Sequence, residues 1–91
     1  MSVAPTEIIM YARERFCPDV TRTRTHLSNL GIDWTEHNIE ADDAAGETTE
    51  RLTGRRSVPT VVIGDKILVE PSNAILEAAL IAAGYDLSEQ D

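Results

Sequence analysis

Cys17 is the one cysteine in this 91-residue chain, and its neighbours decide what chemistry it could do. Pro18 follows it, and from there Val20, Thr23, Leu27 and Leu30 recur at three- and four-residue steps, the pattern of an amphipathic helix. Proline suits a helix's first turn, where its missing N–H is not needed. The Cys17 sulfur would therefore stand at a helix N-terminus, where the macrodipole and free backbone N–H groups favour the thiolate, the nucleophilic form. Arg13 and Arg15 lie just before it and Arg22 and Arg24 lie on the helix that follows. Positive charge nearby favours the thiolate further. A lone cysteine is more often a small buried hydrophobe, but this position shifts the reading to a reactive thiol.

Val58-Pro59 precedes a strongly β-like run. A proline at a strand's first position is tolerated because the ladder does not need its N–H, so taken alone the pair is structural. His26 and His37 with one cysteine lack the spacing of a closed zinc site, and no metal is expected. Trp34 reads as a half-buried strand residue.

These residues need elements to hold them. Residues 7–11, with Ile8, Ile9 and Met10, form an apolar run too brief for a helix and read as a buried first strand directly ahead of Cys17. The first helix then runs from Pro18 to a stop at Gly31. Residues 32–39 alternate in character and predict a second strand with one exposed face. Residues 42–53 predict a second, weakly amphipathic helix, with Asp42 and Asp43 at its start and Gly54 at its end. Residues 58–63 and 67–69, joined by Gly64-Asp65, read as a hairpin. Pro71-Ser72-Asn73 opens a last helix with an apolar stripe of Ile75, Leu76, Ala79, Leu80 and Ala83, ended by Gly84. The order β-α-β-α-β-β-α implies an α/β fold, a four-stranded mixed sheet flanked by three helices.

Length allows one domain, residues 1–91 with a core over 7–84. With a single thiol the fold does not depend on oxidation and fits a reducing compartment, so a cytoplasmic location is expected. The first residues lack a signal-peptide pattern and no apolar run would span a bilayer, so no membrane association is expected. A net charge of −8 argues against nucleic acid. The charge is uneven, however: seven of the eight basic residues are arginines in the stretches 13–15, 22–24 and 51–56. Either they are solvated surface charges or they meet as one basic site on an acidic body. Residues 88–91 read as a solvated, frayed end.

The succession of strand, Phe16-Cys17-Pro18-Asp19-Val20 helix, then Arg55-Arg56-Ser57-Val58-Pro59-Thr60, strand, turn, strand and helix resembles the glutaredoxin-like branch of the thioredoxin superfamily over almost the whole chain. The resemblance implies a thioredoxin-like fold, a nucleophilic Cys17 and a cis Pro59 facing it. The Val58 backbone would then pair in strand fashion with a bound thiol peptide. It also implies that Arg13 meets the carboxylate of a small thiol, that Arg55 or Arg56 flanks the same groove, and that the three arginine stretches converge. Pro18 and Ser72 complete the implied thiol-binding set.

Two departures from the family pattern bear on mechanism. Val20 stands where a second cysteine would fall, which excludes an intramolecular disulfide and leaves a monothiol cycle. Leu68-Val69-Glu70-Pro71-Ser72-Asn73 replaces the usual Gly-Gly and acidic residue. That run looks more like the mycoredoxin subgroup, which implies mycothiol ahead of glutathione as co-substrate. The implied activity is thiol–disulfide oxidation and reduction on mixed disulfides between proteins and a small thiol, by a monomer with no permanent cofactor. Two other readings stand beside it: a redox-inert binding module, and a dimeric carrier of a 2Fe–2S cluster held by Cys17 from each chain and two small thiols.

Overall fold

A computed structural model describes residues 6–87. The elements are β1 (Ile8–Ala12), α1 (Pro18–Asn29), β2 (Thr35–Asn38), α2 (Asp43–Thr53), β3 (Thr60–Ile63), β4 (Lys66–Val69) and α3 (Asn73–Ala82). The expected order is found, and the expectations for 88–91 lie outside the described residues. The sheet runs β2-β1-β3-β4, with β1 parallel to β2 and antiparallel to β3, and β3 antiparallel to β4.

Period-two alternation sorts the strands. Ile8, Met10 and Ala12 of β1 and Val61 and Ile63 of β3 point into one core with Val20 and Leu27 of α1 and Leu76 and Leu80 of α3. On the opposite sheet face the register sets Ile9 against Val62 and Val62 against Ile67. The buried face of α2 consists of the small residues Ala45, Gly46 and Thr49. Small side chains let this helix lie close, and against the weak amphipathicity expected, α2 separates its two faces more sharply than α1 or α3.

Gly31 ends α1 in the left-handed region at φ 72°, with Gly31 N–H donating to the Ser28 carbonyl and Ile32 N–H donating to that of Leu27. That double bond pattern satisfies carbonyls the helix would otherwise leave open, and it needs a residue without a Cβ penalty at that point. Among the described residues, no helix is long and apolar enough to cross a membrane.

Several expectations need correction. β1 ends at Ala12, so residues 13–16 separate the strand from Cys17 rather than the cysteine following it directly. β2 is only Thr35–Asn38: Ile32 and Ile39 are buried, but they flank the paired segment instead of extending it. β3 begins at Thr60, after the proline that has no N–H to give a ladder. Ile75 is 55% exposed, because Leu76 and Leu80, one turn apart, fix which side of α3 faces the core.

Candidate functional site

Cys17 occupies the N-cap of α1 in an extended conformation (φ −144°, ψ 115°), with Pro18 in the first helical position. Its backbone carbonyl accepts from Thr21 N–H at 2.9 Å, the first bond of the helix. Its sulfur makes no capping hydrogen bond. Pro18 has no N–H, and those of Asp19 and Val20 have no partner among the described residues. Cys17 thus heads a helix whose first turn keeps two backbone donors without a partner among the described residues. Cys17 is only 8% exposed and belongs to the core cluster, while Phe16 beside it is 77% exposed. Val20 is fully buried in the same core.

The first turn also holds an acid. Asp19 would oppose a thiolate two residues away, but Arg22 Nη1 donates to its carboxylate at 2.8 Å. Arg22 Nη2 reaches on to the Pro71 carbonyl at 3.0 Å and ties α1 to the entry of α3. Ser72, at that entry, caps α3 by accepting from Ile75 N–H at 3.2 Å. Glu70, just before, sits in the left-handed region (φ 47°) and donates its N–H to the Pro59 carbonyl at 2.8 Å.

The Val58-Pro59 peptide bond is cis. Pro59 is buried, and neither the N–H nor the carbonyl of Val58 has a hydrogen-bond partner among the described residues. Val58 lines a cavity of about 330 Å³ together with Arg13, Arg15, Ile39, Glu40, Asp43 and Arg56. Arg15 Nε donates to Glu40 at 2.9 Å, and this contact holds the exposed Glu40 carboxyl below its usual range. Arg13 Nε is buried without a partner. Arg56 approaches Glu50 only to 3.7 Å. Arg13 and Arg56 are thus the cavity's least engaged cations.

The arginine stretches converge only in part. Arg13 and Arg15 meet Arg56, but Arg55 is not among the lining residues; it folds onto Thr53, whose hydroxyl donates to the Arg55 carbonyl at 2.6 Å. Arg22 is spent on Asp19 and Pro71. Arg24, two turns along α1 from Cys17, is held by Glu36 of β2, with the Cys17 thiol near enough to interact with its charge. That pairing, foremost, lowers the Glu36 carboxyl, helped by a bond from Trp34 Nε1. Sequence reasoning missed Ile39, Glu40 and Asp43, whose place at the cavity depends on the link from β2 to α2. Two acids and an apolar residue at and just before the start of α2 carry no signal that they line a cavity.

His26 is joined to Glu77 of α3 at 2.7 Å, and His37 stacks on Tyr11 with ring centres 5.5 Å apart. Among the described residues, no group of three metal-ligating side chains occurs.

A mixed sheet in the order β2-β1-β3-β4, three flanking helices, a cysteine heading α1 and a cis-proline heading β3 define a thioredoxin-like α/β fold. The glutaredoxin family model matches residues 8–68, and the chain belongs to the glutaredoxin family. The glutaredoxin of Archaeoglobus fulgidus is 30% identical, with 84% of this chain and 86% of that one covered at a TM-score of 0.72. The thioredoxin-like protein BC3987 has 23% identity over 81% of this chain and 100% of its own, at a TM-score of 0.74. A buckwheat glutaredoxin–glutathione complex, 19% identical over 86% of this chain and 76% of that one, shares the fold at a TM-score of 0.67. No curated protein matches the chain. Family and fold together support a thiol–disulfide oxidoreductase-type function.

Proposed function

We propose that the chain works by a monothiol cycle on mixed disulfides between proteins and a low-molecular-weight thiol, with Cys17 as nucleophile. The observation that carries this reading is the uncapped N-terminus of α1, which Cys17 heads and where two N–H groups have no partner among the described residues. Val20, buried where a resolving thiol would have to stand, supports the monothiol form.

In the cycle, the Cys17 thiolate attacks the small-thiol sulfur of a protein mixed disulfide. The new bond joins Cys17 to the small thiol, the old disulfide breaks, and the protein leaves as a thiolate that takes a proton from water. A second small thiolate attacks the sulfur bound to Cys17, releasing the Cys17 thiolate and a small-molecule disulfide. The net exchange moves the disulfide from the protein to the pair of small thiols: the protein sulfur is reduced, and the one free thiol consumed is oxidised.

Val58 offers its unpaired N–H and carbonyl to an extended thiol peptide. Arg13 and Arg56 offer charge to a carboxylate in the cavity that Val58 also lines, while Cys17 itself is not among the lining residues. This chemistry suits glutathione, which bears two carboxylates. Mycothiol is the second reading. It is favoured by the α3 entry, where Ser72 already caps the helix and Glu70 adds negative charge where glutathione would place an anion. On either reading the protein acts as a monomer in a reducing cytoplasm.

The test is turnover of a model protein carrying either thiol, assayed with the matching free thiol. Wild-type protein is expected to release the modified thiol catalytically, and Cys17→Ser to release none. Equal release by that variant would exclude the mechanism, and the thiol turned over faster identifies the co-substrate.

A further inference from the structure

Gly46 is a glycine without a backbone reason. It lies inside α2 on the helix's buried face, and its φ is not in the left-handed region. A helix-interior glycine destabilises a helix relative to alanine, so its place here points to space rather than conformation. The space is already occupied: a Cβ built on Gly46 would stand 2.6 Å from Arg56 Nη1, 3.1 Å from Arg56 Cζ and 3.3 Å from the Ile39 carbonyl oxygen. The Arg56 guanidinium therefore rests against the bare backbone of α2, where no other residue type would let it rest.

This seat has a consequence for the cavity. Arg56 and Ile39 both line it, with Arg13 and Val58. The only ion pair Arg56 makes among the described residues is the 3.7 Å approach to Glu50, which leaves its position to packing. A long, flexible side chain held by packing loses its place when the packing surface changes.

We propose that Gly46 is a positioning residue that seats the Arg56 guanidinium in the cavity, and so sets the affinity for the carboxylate end of the small thiol. The inference rests on the reading of this cavity as the small-thiol site. It deepens that reading by making recognition depend on the anionic end of the ligand and on a residue that never touches it.

The probes are S-methylglutathione, a thioether that cannot react, and its diethyl ester, which lacks the carboxylates. Titration calorimetry on the full chain is expected to show Gly46→Ala binding the acid about tenfold more weakly, the effect of one lost charged hydrogen bond. The ester should bind that variant and the wild type alike. In the Arg56→Ala background, Gly46→Ala should weaken binding no further, since the seat then has no occupant. The same background keeps the idea testable if Gly46→Ala alone folds poorly: with Arg56 truncated only the 3.3 Å approach to the Ile39 carbonyl oxygen is left, and the added methyl should raise the melting temperature. Equal affinity of wild type and Gly46→Ala for the acid, or additive losses in the double variant, would overturn the proposal. Wild-type protein that binds neither probe would overturn the reading of the cavity as a glutathione site and this inference with it, whereas wild-type binding without the Gly46 effect would overturn this inference alone.

Discussion

At the head of α2 the Asp42 carboxylate accepts from the N–H groups of Ala44 and Ala45, and at the head of α3 the Ser72 hydroxyl accepts from that of Ile75. At the head of α1 a sulfur takes the same place and accepts nothing. A side-chain oxygen at a helix N-cap contributes about 1 kcal/mol. Two of the helices therefore begin in a way that stabilises the fold, and α1 begins in a way that leaves its donors for a charge appearing during reaction. On the proposed function, the stability forgone at α1 goes with the reactivity of Cys17.

Cys17→Ser sharpens this comparison most. Mixed-disulfide turnover should fall to background, because a hydroxyl does not replace a thiolate as nucleophile at neutral pH. The melting temperature should not fall, and should gain up to the equivalent of about 1 kcal/mol, because serine is a strong N-cap whose oxygen can accept from Val20 N–H. A variant that lost both activity and stability would show the sulfur's packing, not its position, to be the dominant role of Cys17.

Asp42→Ala tests the opposite end of the comparison. Denaturant melts should show a loss of about 1 kcal/mol, with the rate of Cys17 modification by a small disulfide unchanged. A slowed reaction would mean that the two helix heads are coupled.

Arg22→Gln addresses how α1 tolerates Asp19 in its first turn. With the 2.8 Å partner removed, the Asp19 carboxylate opposes the thiolate unscreened. The rate of thiol–disulfide exchange by Cys17 should drop by roughly threefold, in line with a partly exposed charge effect, and Asp19→Asn should restore it. No recovery would point instead to the Arg22 link to Pro71.

The smallest effect belongs to Arg24 and Glu36, the pair outside the site. The Glu36 carboxyl is lowered in the folded protein, so its stabilisation is present above the ordinary carboxylate range and is lost as pH falls through the lowered folded value. Glu36→Gln should cost no more than about 0.5 kcal/mol at pH 7 for a half-exposed pair and should flatten the acid limb of the stability profile. An unchanged acid limb would remove Glu36 from the account.

The sequence made the order of elements readable because apolar runs and glycine stops are local signals: Ile8, Ile9 and Met10 announce β1 and Gly31 ends α1. Extents were less readable. Ile32 and Ile39 are as buried as strand residues, yet burial and ladder pairing are separate properties, and only the second makes β2. The motif around Cys17 and the Val58-Pro59 pair were legible through family resemblance. The convergence of the arginines was overdrawn, because charges in a sequence show no partners: Arg22 is engaged by Asp19 and the Pro71 carbonyl, and Arg24 by Glu36 of β2. Gly46 said nothing in one dimension. Its meaning is a close approach between α2 and a side chain ten residues later.

The central claim is that Cys17 is an active nucleophile at an open helix terminus. Reduced protein mixed with oxidised glutathione, and separately with oxidised mycothiol, can be followed by intact mass spectrometry at several pH values. The account predicts one adduct per chain, on Cys17, formed readily at neutral pH and below, and lost on addition of the free thiol. No adduct from either disulfide, with the protein folded, would contradict it and leave a redox-inert binding module on a thioredoxin-like scaffold.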